Sequence, residues 1–515
     1  MEMKKISTFS IGFLILVIMT LAGCSNEGET TTGGSEDDSN TLVIAQAADI
    51  PSIDPQNSLS TTGDRVHRNM FSRLFMWDNE LALQEDLVDT YKQIDEETWE
   101  FTLKEATFHN GEVVTAEDVK FSLERVMTDE TLKEYPYFKQ LKEVNVKDEQ
   151  TVEIITDGPM PTILNLLAKS GSDILPKAYF EEVGIEGFQE KPIGSGPYQF
   201  EDWIRDDRVT LVPFEDYYGD KPKWDKVEVR AIPESSTRVG ELLTGGVDVA
   251  TDIPPNEWER VESESGVDLV NGETTRVSLL MVRTTEGYVT SDPKVREAID
   301  LAIDQQAIVD SVLQGTGVPV RTRVPEGVFG TNPDLTNTRV YDVERAKELL
   351  AEAGHPDGID ITFTSSRGRY PLDSEVAQLI VSMLSEAGIN AELKLLESSA
   401  FLDEYNSKSN EELIMIGLAD GLLDASYSLV HYTEERAAGQ TDYKNEEVEE
   451  LFNAAGQNLD EEERKEQYQL IQEIVAEERP HIFLYQNAVN YGVSENITFT
   501  PRLDEAIRFD DLTKK

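Results

Sequence analysis

The sequence predicts an α/β fold, a parallel or mixed sheet with helices packed on its faces. Two observations carry this. Between Asp292 and Leu418 stretches with helical apolar periodicity alternate with short apolar strand runs, the pattern of β-α-β units. Further upstream, the run WEFTLKEATFHNGEVVTAEDVKFSLER from Trp99 to Arg125 reads as a strand, a tight turn and a capped helix. No internal repeat is present, so the length is not that of a repeat array.

Each element has a local reason. Thr41 to Ala47 (TLVIAQA) is a strand, followed by a loop from Asp49 to Gly63. Trp99, Phe101 and Leu103 alternate with polar residues, as in a half-buried strand. Asn110-Gly111 supplies turn geometry, and Thr115 to Asp118 is a capping box with Asp at its last position. Val119, Leu123 and Val126 then form one helical face. Gly194-Ser195-Gly196-Pro197-Tyr198 precedes strand-like runs Val209 to Pro213 and Val227 to Ile232. Asp292-Pro293 is an N-cap followed by Pro at the first helical position, and Val295, Ile299, Ala302 and Ile303 share a face. Asp304 caps a second helix expected to end at Gly315, and Asp342 opens one closed by Gly354. A strand Ile359 to Thr364, a helix Asp373 to Ala387 and a strand Ile389 to Leu396 follow. Leu413 to Leu418 reads as a buried strand, Glu446 to Ala476 as largely helical, and Ile482 to Val493 as the last extended run.

The block Trp99, Phe101, Leu103, Phe108, His109, Gly111, Thr115, Ala116, Asp118, Val119, Ser122 and Arg125 resembles the signature of the extracytoplasmic solute-binding proteins of ABC importers for peptides and nickel, extracellular solute-binding family 5. Gly194 to Tyr198 and Tyr217-Tyr218-Gly219-Asp220-Lys221-Pro222 match two further motifs of that family. The resemblance runs from about residue 41 to 500. It implies a two-lobed, periplasmic-binding-protein-like clam with two hinge crossings and an extra subdomain in lobe one. Carried over, lobe one comprises 41–281 plus 487–515, with 77–190 as the subdomain, and lobe two comprises 282–486. The crossings are expected near Leu280–Arg283 and Leu484–Asn487.

The N-terminus agrees. Lys4 and Lys5 precede the apolar run Ile11 to Leu21, too short for a stable span and suited to a secretory signal. Leu21-Ala22-Gly23-Cys24 looks like a lipobox, so residues 1–23 are expected to be removed and Cys24 acylated. Cys24 is the single cysteine of the chain, which excludes an intramolecular disulfide. Residues 24–40 carry no large apolar side chain beyond Cys24 and read as a flexible tether. With 100 Asp and Glu against 46 Lys and Arg, the formal net charge is −54, which repels nucleic acid and anionic lipid surfaces. The carboxylates are spread along the whole chain, as in a surface adapted to salt.

Ligands in open α/β sheets bind beyond the carboxyl ends of strands. That selects the loop after Thr41–Ala47, the loop Ser365 to Tyr370 and the loop Ala419 to Ser428. Arg367 and Arg369 are suited to a ligand carboxylate. The family resemblance implies that Leu59, Ser60 and Thr61 line the cleft, and that an aspartate of the third loop receives a peptide amine. Asp420 and Asp424 both remain candidates, since the relatives' aromatic is missing here and the first Asp is displaced; Tyr427 lies in the same stretch. Arg283 stands where relatives commonly have Asn, and Tyr485 sits at the expected second crossing. Ile53-Asp54-Pro55 matches a family L-D-P, with Asp54 read as a turn former.

The five histidines show no H-E-x-x-H pairing, and Gly194-Ser195-Gly196 is not a nucleophile elbow, so neither a catalytic nor a metal site is read and no cofactor is expected. The expectation is a non-catalytic, monomeric, lipid-anchored binding protein on the outer face of the cytoplasmic membrane. It captures short peptides and delivers them to ABC permease subunits. A nickel or metallophore binder of the same family is the alternative, with His431 its one supporting residue; a peptide signal receptor and a secreted hydrolase are the readings from other classes.

Overall fold

A computed structural model describes residues 40–515. The expected signal peptide, the expected acylation site Cys24 and nearly all of the expected tether lie outside the described residues. Residues 40–515 form a two-lobed α/β clam built on an eleven-stranded mixed sheet. Strand Thr41–Gln46 pairs in parallel with Lys226–Ala231 on one side and Val249–Ala250 on the other. Ile359–Arg367 pairs in parallel with Ile389–Glu397 and Leu413–Leu418. Between these two parallel groups run two long antiparallel strands, Val267–Val282 and His481–Ser494, whose register shifts between Glu273 and Val277 and again at Ser278/Leu279. Such bulges bend a strand and increase its local twist, so the pair changes direction here.

Apolar burial follows the same division. Leu42, Ile44, Val66, Val227, Tyr491 and Phe509 share one core. Val295, Ile299, Leu349, Phe363, Ile380 and Leu484 share another, where helices Pro293–Ala302, Val343–Glu352 and Asp373–Glu386 cover the sheet. A separate antiparallel sheet orders Val88–Gln93, Thr98–Leu103, Thr151–Thr156 and Leu141–Val146. Its Phe101, Val152 and Ile154 belong to a core that also takes in Ile414, Leu422 and Tyr468.

Local chemistry produced the expected helix starts. Asp292, Asp304 and Asp342 each accept a backbone N–H of the first turn, at 2.8, 3.1 and 2.9 Å. Three elements differ. The helix from Asp304 stops at Ser311, because Gln314 and Gly315 take positive φ and turn the chain back. The strand from Ile359 continues to Arg367, held by its full-length register with Ile389–Glu397. Glu446 to Ala476 is two helices, Glu446–Gln457 and Glu461–Glu478, the second restarted by the Asp460 cap on Glu463 N–H at 3.1 Å.

Candidate functional site

The signature block anchors the first of the three strand-end loops. Arg125, from helix Ala116–Thr128, forks onto buried Asp54: Nη2 donates to Oδ2 at 2.7 Å and Nη1 to Oδ1 at 3.2 Å. The same Nη1 donates to Gln56 Oε1 at 2.6 Å, and Gln56 Nε2 returns to the Ser122 carbonyl at 2.8 Å. Asp54 also caps the short 3-10 turn Pro55–Asn57. Asp54 is thus a turn former with its acceptors committed. The loop then delivers Leu59, half of whose surface faces solvent (51%), and Ser60, which caps helix Thr61–Met70 through Gly63 N–H; Thr61 is half-buried at the helix start.

His109 holds the neighbouring turn. It exchanges bonds with Gly194 and Gly196, its Nε2 lying 3.0 Å from the Gly196 carbonyl. Burial pushes its pKa down to about 4, so the ring is neutral there. A Cβ on Gly194 would lie 2.1 Å from the Met70 carbonyl oxygen, which explains glycine at that position.

The second loop is built on one carboxylate. Asp373 accepts from Ser366 Oγ and from the N–H groups of Gly368, Arg369, Tyr370 and Ser374, at 2.8–3.2 Å. This fixes the backbone that presents Arg369 and Tyr370. Arg369 Nε donates to the Tyr370 hydroxyl at 3.1 Å, and that hydroxyl donates to the Gly417 carbonyl at 2.9 Å. Arg276, from the bulged crossing strand, faces the same ring at 6.0 Å, donates to Gly417 O at 3.4 Å and pairs with Glu505 at 3.3 Å. Arg367 is separate: it is exposed at the strand end, its nearest carboxylate Glu397 at 3.9 Å.

The third loop separates the two aspartates. Asp424 caps helix Ala425–Leu429 and pairs with buried Arg464. Asp420 accepts from Leu422 N–H at 3.0 Å, Asp424 N–H at 3.3 Å and Ser428 Oγ at 2.6 Å, and among the described residues makes no ion pair. Burial, aided by the Asp424 charge, pushes its pKa up to about 6 against the Ser428 hydrogen bond. Its backbone is locked to the crossing strand, with Thr275 Oγ1 donating to Asp420 O at 3.0 Å and accepting its N–H at 3.1 Å. Tyr427 stacks on Tyr137 with ring centroids 5.1 Å apart and donates to its hydroxyl at 2.9 Å. Lys169 lies over Tyr137 at 4.6 Å and pairs with buried Glu134, whose pKa burial raises to about 7.

Asp420 therefore lies on the loop and Tyr427 on the short helix Ala425–Leu429 that follows it, and Arg369 shares Tyr370 with Arg276 beside Gly417, a residue of the strand leading into that loop. Arg283 and Tyr485 are committed to packing, although Tyr485 is near enough to Asp373 and Tyr370 of the second loop to feel their charges. Arg283 is buried and donates to Gly439 O, Asn410 O and Asp442, tying its strand end to the segment 408–442. Tyr485 is packed in the second core, 4% exposed, pairing in register with Ser278 and Pro319; burial raises its pKa to about 12. Arg276, Tyr370, Tyr137, Lys169 and Glu134 were not singled out from sequence. For Tyr370 the signal was present, since it ends the loop that the strand-end rule selects; Lys169 and Glu134 meet only through tertiary contact. His431 is buried near Arg323, Arg436 and His481, and burial together with the two arginine charges drives its pKa well below the ordinary value.

The glutathione-binding protein of Salmonella typhi is 27% identical over 489 residues, covering 92% of this chain and 94% of that protein. The probable D,D-dipeptide-binding periplasmic protein of Escherichia coli K12 is 25% identical, covering 92% and 94%. Among solved structures, the ABC transporter-associated periplasmic binding protein DppA from Helicobacter pylori in complex with peptide STSA superposes with a TM-score of 0.79 at 25% identity, covering 92% of this chain and 98% of that one. Residues 82–440 match the family described as bacterial extracellular solute-binding proteins, family 5 Middle, and with that span the chain belongs to this family of two-lobed solute-binding proteins.

Proposed function

We propose that the protein captures short peptides between its lobes and delivers them to the permease of an ABC importer, held at the outer face of the cytoplasmic membrane by acylated Cys24. In this reading the lobes are 41–281 plus 487–515 and 282–486, the crossings lie near Leu280–Arg283 and Leu484–Asn487, and the strand bulge at Glu273–Val277 bends the pair just before the first of them. The observation that carries it is Asp420: a buried carboxylate that makes no ion pair among the described residues, the charge of buried Arg323 notwithstanding, in a loop whose neighbours include two guanidiniums on Tyr370. A zwitterion supplies both complements. Its ammonium pairs with Asp420, while Arg369 receives a carboxylate, with Arg276, already paired with Glu505, in a supporting place and exposed Arg367 reaching a longer ligand. Leu59 offers an apolar contact at the mouth, Ser60 and Thr61 line the same wall, and Tyr427 closes the amine end. Asp424 is the weaker amine acceptor because Arg464 already neutralises it.

Charge-assisted bonds strengthen in a cleft that excludes water, and a ligand touching both lobes favours closure by its differential affinity. Arg283 and Tyr485 support the walls from behind. The nickel reading is weakened by His431, whose arginine neighbours oppose a cation. Native mass spectrometry of the chain purified without refolding tests the proposal. Added masses fitting short peptides support it. A single mass with a nickel isotope pattern would overturn it.

A further inference from the structure

We propose a second binding site beside the crossing strands, a pocket for a small hydroxylated amine. A cavity of about 530 Å³ opens between helix Pro255–Glu262, the crossing strands and the turn at Gln314. It shares no lining residue with the site above. Asn271 and Asn490 are register partners on the pocket face, whereas the adjacent Tyr491 points the other way, into the core with Val66 and Met70 of helix Thr61–Met70. The pocket face instead carries Leu269 and Trp258.

Three features point to the ligand class. The first is a built polar floor. Asn490 is only 8% exposed; its amide oxygen accepts from Asn271 Nδ2 at 2.9 Å, and its own Nδ2 has no hydrogen-bond partner among the described residues. Either orientation of the two amides leaves one NH₂ and one carbonyl of the pair for a ligand, which suits a hydroxyl that both donates and accepts. The second is charge. Glu259 and Glu262 stand three residues apart on one helix face, line the cavity and make no ion pair among the described residues, and no basic side chain lines it. An ammonium is the complement. The third is size, since the volume falls within the range of small-molecule sites. Gln314 follows helix Gln305–Ser311, which packs on the second core, so the pocket is walled from both sides of the strand bulge.

Calorimetric titration of the full chain with D-glucosamine tests this, with N-acetyl-D-glucosamine as the neutral analogue. The expected result is saturable 1:1 binding of glucosamine, about tenfold weaker for the acetylated sugar and for Glu259→Gln/Glu262→Gln, as loss of a charge-assisted pair dictates. Asn490→Ala weakens it as well, and Asp420→Asn leaves it unchanged. The site is overturned if glucosamine fails to saturate, if the paired glutamine variant binds like the parent (diffuse attraction to the acidic surface), or if Asp420→Asn abolishes binding, which moves the sugar to the other cleft. Its failure leaves the peptide reading untouched, because the two sites share no residue.

Discussion

Arg125 and Asp54 form a forked, nearly dry ion pair, at 2.7 and 3.2 Å, that joins the signature helix to the loop carrying Leu59 and Ser60. Asp54 is 1% exposed at its side chain and Arg125 14%, so removing either leaves a buried charge unpaired. That class of loss costs about 3–5 kcal/mol. Arg125→Ala is therefore expected to lower unfolding stability by about 3 kcal/mol and to loosen the loop, while Arg125→Lys recovers only part, because an ammonium cannot fork. Denaturant melts of the two variants check this; a loss below about 1 kcal/mol in the alanine variant means that water already screens the pair.

The signature was legible at this distance because its chemistry is local: Thr115 N–H and hydroxyl bind Asp118 three residues on, at 2.9 and 2.7 Å, and that cap sets the helix that aims Arg125. The three aspartate caps at 292, 304 and 342 were legible for the same reason. The strand-end rule likewise chose the loops that hold Asp420 and Arg369. The anchoring of Arg283 was not legible because its acceptors, Gly439 O and Asn410 O, come from more than a hundred residues downstream and leave no trace nearby. Arg367 moved from loop to strand because a neighbouring strand, not its own propensity, fixed the register.

Asp420 sets a pH dependence on binding. Its folded pKa of about 6 lies above the ordinary carboxylate value, so ionisation of the folded, empty protein is penalised as pH rises toward 6 and the penalty is full above it. An ammonium ligand requires the ionised form. Affinity for a free-amine peptide is expected to be constant above pH 6 and to fall below it, approaching tenfold per unit at low pH. Asp420→Asn is expected to weaken binding by about 2 kcal/mol at pH 7.5 and to flatten the profile. Fluorescence titrations between pH 4.5 and 8 in both proteins decide it, and a profile equally steep in the variant assigns the proton to another group.

Arg369 is expected to act on the ligand's other end, with Arg276 in support. Because Tyr370 OH bridges Arg369 Nε and the Gly417 carbonyl, Arg369→Met removes a charge without opening the core. Affinity for peptides with a free carboxyl group drops about tenfold, and affinity for their amides changes little. Comparing acid and amide forms of one peptide by calorimetry separates this from a general loss of packing, which lowers both alike.

Glu134 and Lys169 form the most buried ion pair facing the third loop, at 1% and 6% side-chain exposure. Burial raises the Glu134 pKa to about 7 in spite of the Lys169 charge, which lowers it, so desolvation outweighs attraction. A carboxylate with a raised folded pKa destabilises the fold as pH climbs from its unfolded value near 4.5 to 7, and that cost persists above. Three outcomes follow from one balance. Lys169→Met alone removes the attraction and leaves the cost, lowering stability by about 3–5 kcal/mol at pH 8. The same variant regains much of that loss at pH 5, where Glu134 is protonated. The double variant Glu134→Leu/Lys169→Met matches or exceeds the parent at pH 8, since apolar groups of similar volume replace a pair whose desolvation outweighs its attraction. Thermal melts of the four proteins of this cycle at pH 5 and pH 8 measure all three, and a double variant as unstable as Lys169→Met shows that the pair is held by geometry that carbon cannot replace, the cation over Tyr137 foremost.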